Sequence, residues 1–391
     1  MPLKTQYDYI ISGAGCAGLS LLYRMMQHPF FTDKEILVID NISKNTNDRT
    51  WCFWEQQTGP FEHLVHHQWK DISFYSNNFS GRFNIAPYTY KMIRGIDFYT
   101  HILEQAHKAP NIYFATENIL SAVTNANTAT VITDRNTYTA GYVFNSIIFP
   151  DHFLKQASPQ HPNAPYKLLQ HFKGWFIETE EPLFEKELAR FMDFRVHQQH
   201  GTSFVYVLPL STQTALVEYT LFTSSLLASE AYDDALANYM QENYPGKAYN
   251  IQQKEFGVIP MTSFQFSPGD DRLVALGTAG GQTKASSGFT FRFIQKHSDA
   301  IIAALLNGHS PIIKKSWLQK RFDLYDATLL HILTTNKMGG DAIFETLFKK
   351  NTPQSVLRFL DNESTLLQDM RLMSTVPTSI FLPAALRQLL H

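Results

Sequence analysis

Apolar and polar positions follow three successive patterns along the chain. Tyr7-Asp8-Tyr9-Ile10-Ile11-Ser12 is an apolar run closed by glycine, as in a buried parallel strand, and Leu19, Leu22, Tyr23 and Met26 then recur at the three- and four-residue spacing of a helix face. Ile36-Leu37-Val38-Ile39-Asp40 predicts a second buried strand. The pattern continues with a hairpin over 68–87 turning at Ser76-Asn77-Asn78, a helix ending near Lys108, strands at 112–114, 119–124, 128–134 and 138–140, and a central strand at 142–146. The second pattern is alternation, through Trp175, Ile177 and Thr179, then 191–196, 203–210 and 214–220, which predicts a mainly antiparallel sheet followed by a helix over 230–243. In the third, an apolar strand returns at 272–276 before a helix over 289–306. The remainder is helical, with Leu318, Phe322, Tyr325, Leu329 and Ile332 on one face. Lys349 and Lys350 beside Phe344, Leu347 and Phe348 fit either a packed helix or an amphipathic helix on a membrane surface.

The turn after the first strand carries the chemistry. Gly13, Gly15 and Gly18 stand at G-x-G-x-x-G spacing. In such a unit the first glycine makes the turn, the second admits a pyrophosphate against the backbone, and the third lets helix and strand pack closely. The helix N-terminus supplies unpaired N–H groups and the positive dipole end, and an acid about 20 residues on, here Asp40, takes a ribose hydroxyl. Ala14 lies within the turn, and Arg49 in the following loop is placed to contact a phosphate. Trp51, Phe53 and Trp54 either wall a pocket there or form a core cluster.

This motif fits NAD or FAD. A late strand and helix, carrying Gly277, Gly280, Gly281, Ser287 and Gly288, return to the early unit, as in FAD-dependent two-domain proteins. The expected fold is therefore α/β: a Rossmann-type FAD-binding domain over 1–150 and 266–310, with a small β excursion near 70–87, an inserted antiparallel-sheet substrate domain over 151–265, and a helical region over 311–391. Residues 151–165, rich in Pro, Gln and His, read as a linker.

Composition narrows the function. With 391 residues, 44% of them hydrophobic and 14% aromatic, the chain can bury large cores and still line an apolar cavity. Its net charge of −2, with both signs interspersed, gives no footprint for nucleic acid. Two cysteines, one of them in the nucleotide turn, argue against a disulfide framework and for a reducing compartment. No signal peptide or spanning segment is read, so the expectation is a protein that is soluble or rests on a membrane surface.

The chain resembles the bacterial-type lycopene β-cyclases over nearly its whole length. The resemblance rests on Gly13–Gly18, Thr50-Trp51-Cys52-Phe53, Met192-Asp193, the run Phe204-Val205-Tyr206-Val207-Leu208-Pro209-Leu210, Leu216-Val217-Glu218-Tyr219-Thr220, Ile259-Pro260-Met261, and 281–289. It implies an isomerase, an intramolecular lyase that closes β-rings at the ψ-ends of lycopene without net redox change. It also implies FAD active in its reduced form, NAD(P)H as reductant, lycopene and related apolar carotenoids as substrates, and a cytoplasmic protein peripheral to the inner face of the membrane. No metal is implied, and oligomeric state is left open. The proton donor carries over onto Glu218, whose apolar neighbours should raise its pKa, with Asp193 as secondary candidate. Plant members carry a second acid directly after the first; Tyr219 stands there, so a pair of carboxylates is not expected. Asn145-Ser146 replace an acid and an arginine, and Thr278 replaces an aspartate common in FAD proteins. The alternatives are a flavin monooxygenase, a prenyl reductase, or a non-catalytic carotenoid-binding protein on the same architecture.

Overall fold

The computed structural model describes residues 3–149 and 165–389; the expected linker lies, up to residue 164, outside them. Strand Gln6–Ser12 sits inside an eight-stranded sheet, paired in parallel with Ile36–Asp40 on one side and Thr137–Asn145 on the other. The late strand Leu273–Ala275 adds to Thr137–Asn145, also in parallel, so the chain does return to its first unit. Helices Cys16–Met26 and Phe291–Leu306 pack together on one face through Leu19, Leu22, Ile294 and Ile301. The other face buries Tyr7, Ile10 and Leu37 against the meander that holds Val131 and Tyr138.

The second sheet has seven strands, in the order Tyr249–Thr262, Lys167–Thr179, Thr214–Thr223, Thr202–Pro209, Leu188–Asp193, Asp71–Tyr75, Ser80–Asn84. The last two form the hairpin expected as an excursion of the dinucleotide segment; they are instead the edge of this sheet, with Asp71–Tyr75 parallel to Leu188–Asp193. Alternation specifies a strand but not its partner, and here burial of Ile72 and Phe74 in the same core as Phe191 and Phe194 decides it. Strand Tyr249–Thr262 was not expected, because its first half, through Gln252, Gln253 and Lys254, is polar and exposed or half-buried.

One face of this sheet is covered by helix Ser229–Asn243, whose Tyr232, Leu236 and Tyr239 pack on Val205, Val217 and Tyr219. The opposite face looks toward the dinucleotide domain, the small sheet of Thr50–Glu55, Thr89–Arg94 and His67–Trp69, and the C-terminal helices. Helix Gly340–Lys350 is a packed helix: Phe344, Leu347 and Phe348 are buried, and Phe348 stacks on Phe74 at 4.7 Å with Lys349 and Lys350 left in solvent. Among the described residues no helix is long and apolar enough to cross a membrane.

Candidate active site

The dinucleotide cradle follows from its glycines. Gly13 has φ +98°, a conformation that side chains resist, and a Cβ on Gly18 would lie 2.0 Å from the Gly13 carbonyl oxygen. A Cβ on Gly15 would meet nothing within 4 Å, and Gly15 caps helix Cys16–Met26 with no side-chain cap and no acid in the first turn. The helix N-terminus therefore offers its N–H groups to an anion. Asp40 accepts from the Ala14 N–H at 2.7 Å and the Ile42 N–H at 3.0 Å, with Lys44 at 3.3 Å. It stands at the strand end that the motif requires.

The second segment closes on this cradle. Gly277, at φ +57°, brings its turn so close that an added Cβ would lie 2.9 Å from the Ala17 methyl group. Gly288, at φ +70°, leaves room for the amide of Gln170, whose Oε1 would sit 2.1 Å from a Cβ there. That oxygen and the Ser287 hydroxyl are buried without a hydrogen-bond partner. Gly280 and Gly281 are set back, lining a second cavity of about 370 Å³ that shares Pro260 and Thr278 with the main one. Asn145, Ser146 and Thr278 bond to the Ile147 carbonyl, the Ser12 carbonyl and the Thr283 hydroxyl, so the replacements noted above are absorbed within the protein.

The main cavity, about 510 Å³, runs from Gly15, Arg49, Gly277 and Gly288 to the inner face of the second sheet. Arg49 lies on its wall, donating to the Asp48 carbonyl at 2.7 Å. The aromatic run after the second strand divides: Trp51 lines the cavity, whereas Phe53 stacks on Phe291 at 4.4 Å and Trp54 donates to the Leu357 carbonyl at 3.1 Å, both buried.

Strand register builds the chemistry at the far end. Tyr206 pairs with Glu218, Glu218 with Gly174, and Gly174 with Glu255, so four neighbouring strands present these residues in one row on one face. Gly174 has no side chain to separate its neighbours. The Glu218 and Glu255 carboxyls meet above it and hydrogen-bond one another. Glu255 is also fixed by the Thr50 hydroxyl, which donates to its Oε2 at 2.7 Å, and the Thr220 hydroxyl donates to Glu218 Oε1 at 3.0 Å.

The two acids differ in surroundings. Glu218 is half-buried and lines the cavity; burial and then the neighbouring Glu255 charge hold its pKa well above the usual carboxylate range, against the Thr220 bond. Glu255 is raised too, by burial, but the Thr50 and Glu218 hydrogen bonds and the Arg49 charge pull it back. Both carboxyls are thus pushed toward the protonated form, Glu218 the more strongly. Cys52, Tyr90 and Tyr206 surround the pair, and burial keeps all three protonated.

Asp193, expected as secondary acid, is not brought to this cavity. It pairs with Val205, which puts it on the opposite face of the sheet, where it accepts from Arg195 at 2.7 and 2.9 Å, Arg190 at 3.2 Å and the Tyr239 hydroxyl at 2.9 Å. Tyr219 points away from the cavity, and in place of the expected Asp193 the second acid there is Glu255, two places along the sheet row from Glu218. Sequence reasoning missed it because it saw no strand at Tyr249–Thr262. The available signal was that Glu255, Gly257 and Ile259 alternate into the quoted Ile259-Pro260-Met261.

Fold and site together define a protein built on the two-domain flavoprotein fold, with a dinucleotide cradle and a carboxylate pair opening onto one cavity. Solved structures share the fold. One is a flavoprotein/dehydrogenase from Cytophaga hutchinsonii (TM-score 0.59, 11% identity, covering 95% of this chain and 98% of that one). Another is a p-nitrophenol 4-monooxygenase from Pseudomonas putida (0.58, 12%, 95% and 98%). A third is a geranylgeranyl bacteriochlorophyll reductase-like protein from Thermoplasma acidophilum (0.54, 12%, 98% and 95%). The chain belongs to the lycopene cyclase protein family, which matches residues 8–385. Among curated protein sequences nothing matches.

Proposed function

We propose that this chain is a lycopene β-cyclase, converting ψ-ends of lycopene to β-rings, through γ-carotene to β-carotene, with no net redox change. The observation that carries the reading is the Glu218 carboxyl, paired with Glu255 over Gly174, at the end of a cavity whose other end is a dinucleotide cradle. Glu218 protonates the terminal double bond; the neighbouring double bond attacks the resulting cation, and proton loss leaves the ring alkene. A carboxyl that keeps its proton near neutral pH is what the first step requires. The aromatic wall of Trp51, Tyr90, Tyr206 and Phe289 gives a carbocation π-faces rather than nucleophiles.

The residues fit FAD. The Gly13–Gly18 turn and the open helix N-terminus would hold the pyrophosphate, Asp40 the ribose, and the Gly277 and Gly288 turns the flavin side, with Gln170 Oε1 and the Ser287 hydroxyl as unspent polar groups. Reduced FAD, with NAD(P)H as the reductant, would supply fixed negative charge beside the developing cation.

The substrate class sets where the protein works. Trp317, Leu318, Leu366, Leu367 and Met370 are exposed, Trp317 to 76%, and Arg321 gathers them by bonding to Asp369 and to the Leu318 and Ser364 carbonyls. Exposed Lys314, Lys320 and Arg371 flank them. Apolar side chains ringed by cations suit an anionic bilayer surface, and we assign this group to peripheral contact with the inner face of the cytoplasmic membrane.

Expression of the chain in a lycopene-accumulating bacterium, followed by chromatography of the pigments, tests the reading. γ- or β-carotene is expected. Unchanged lycopene with folded, flavin-loaded protein overturns it, and net flavin oxidation during turnover would assign a monooxygenase or reductase instead.

A further inference from the structure

We infer that Glu255 takes the proton released by ring closure and returns it to Glu218, so that the acid is recharged within the cavity. The inference rests on the proposed cyclisation and concerns its second half.

Ring closure is neutral in protons. Glu218 loses one to the inner carbon of the terminal double bond, the new carbon–carbon bond forms at the far carbon of the second double bond to close a six-membered ring, and that carbon's C–H bond then breaks. Its electron pair becomes the ring double bond, and its proton must go to a base. Several titratable or charged groups face this end of the cavity. Cys52 from the strand Thr50–Glu55, Tyr90 from Thr89–Arg94 and Tyr206 from Thr202–Pro209 retain their protons and cannot accept another at neutral pH. Lys44 and Arg49 are cations, and Asp48 is engaged by the Tyr99 hydroxyl at 3.0 Å on the dinucleotide side. Glu255 remains, from the strand Tyr249–Thr262.

Its geometry suits that task. Thr50 binds one carboxylate oxygen and Arg49 adds positive charge, so Glu255 is the member of the pair held ionised while Glu218 holds the proton. Once Glu218 has given up its proton and Glu255 has gained one, the hydrogen bond between them is the return path, and Gly174 keeps that path free of any side chain. No solvent need enter between the two ring closures that lycopene requires. A second acid and a glycine in one register row, with a hydroxyl clamp from the small sheet, have one role in common, which is to keep two carboxyls within proton-transfer reach.

The test compares wild-type holoenzyme with Glu255→Gln and Glu255→Asp, using lycopene in vesicles, reduced flavin and product chromatography across pH. Wild type should give β-rings with a bell-shaped pH profile, the acid limb reporting protonation of Glu255. Glu255→Gln should slow ring formation by about 10²-fold or more, lose the acid limb, and give residual rings with the double bond misplaced, since proton loss is no longer directed. Glu255→Asp should keep the acid limb and the β-position at reduced rate. The inference is overturned if Glu255→Gln makes only β-rings with the acid limb intact. It is overturned too if both variants, folded and flavin-loaded, are equally inactive, because Asp still offers a carboxylate. Failure of wild type to form any ring would instead refute the cyclase reading itself.

Discussion

Replacing Gly174 by Ala isolates the carboxylate pair from everything else at the site. A Cβ built there would lie 2.8 Å from Leu216 Cδ1, 2.9 Å from Glu255 Cγ and 3.2 Å from Glu255 Oε1. Carbon atoms prefer about 3.5–4.0 Å, so each neighbour must give way by roughly 0.6–1 Å. The Leu216 methyl can rotate aside, but Glu255 Cγ is held between its backbone and the Thr50 bond, so the Glu255 carboxyl is what moves. Crowding costs about 1–3 kcal/mol, offset by about 0.5–1 kcal/mol because alanine is the better strand residue, a net loss of roughly 0–2 kcal/mol that leaves the protein folded. Displacing a reacting group by 1 Å costs about 10²-fold in rate, and the variant should show that loss. Losing the Glu255 charge should also lower the Glu218 pKa and move the alkaline limb of activity to lower pH. Thermal melting, flavin absorbance and conversion of lycopene across pH measure the three effects separately. A variant with bound flavin, near-native melting and wild-type turnover would refute the argument that the glycine exists to let the carboxyls meet.

Four further outcomes are expected. Glu218→Gln should retain flavin and abolish cyclisation. It should also melt higher than wild type at neutral and alkaline pH: a folded pKa above the unfolded one stabilises fully below the unfolded value and is lost as pH rises through the folded one, a loss glutamine does not suffer. Gly288→Val, forced into φ +70° and against Gln170, should lose flavin affinity in equilibrium titrations while Glu218→Gln does not. Asp193→Ala should cost about 3–5 kcal/mol by leaving Arg190 and Arg195 unpaired, and activity measured well below its melting temperature should survive. Trp317→Ser with Leu367→Ser should reduce sedimentation with anionic vesicles and leave turnover in detergent unchanged.

The two halves of the site differ in how far they could be read from the chain. The dinucleotide cradle is local in sequence: Gly13, Gly15 and Gly18 act through one turn, and Asp40 follows at a fixed distance, so spacing alone places them. Glu218 was legible through the family resemblance, with its apolar strand neighbours in support. Its partner was not, because Glu255 reaches it only through the pairing of two strands with Lys167–Thr179, a relation in which sequence distance carries no information. The same holds for the hairpin at Asp71–Tyr75 and for Asp193: period-two patterning locates a strand's faces but leaves open which face is which.

That ambiguity of face decides what each acid can do. Asp193 and Glu218 belong to one sheet, two strands apart; Asp193 is fully buried, and Glu218 is half-buried on the cavity wall. On the helix-covered face Asp193 has two arginines and a tyrosine hydroxyl, which fix it as an ion-pair centre joining the strand to helix Ser229–Asn243. On the cavity face no cation among the described residues pairs with Glu218. The nearby Arg49 acts on Glu255 instead, and among the described residues it is the Thr220 hydroxyl that opposes protonation of Glu218. A buried carboxyl can deliver a proton near neutral pH only where the protein withholds a counter-charge from it, and a second carboxyl can stay ready to accept one only where a donor and a cation are supplied. The register row through Gly174 meets both conditions on the two strands that flank Lys167–Thr179.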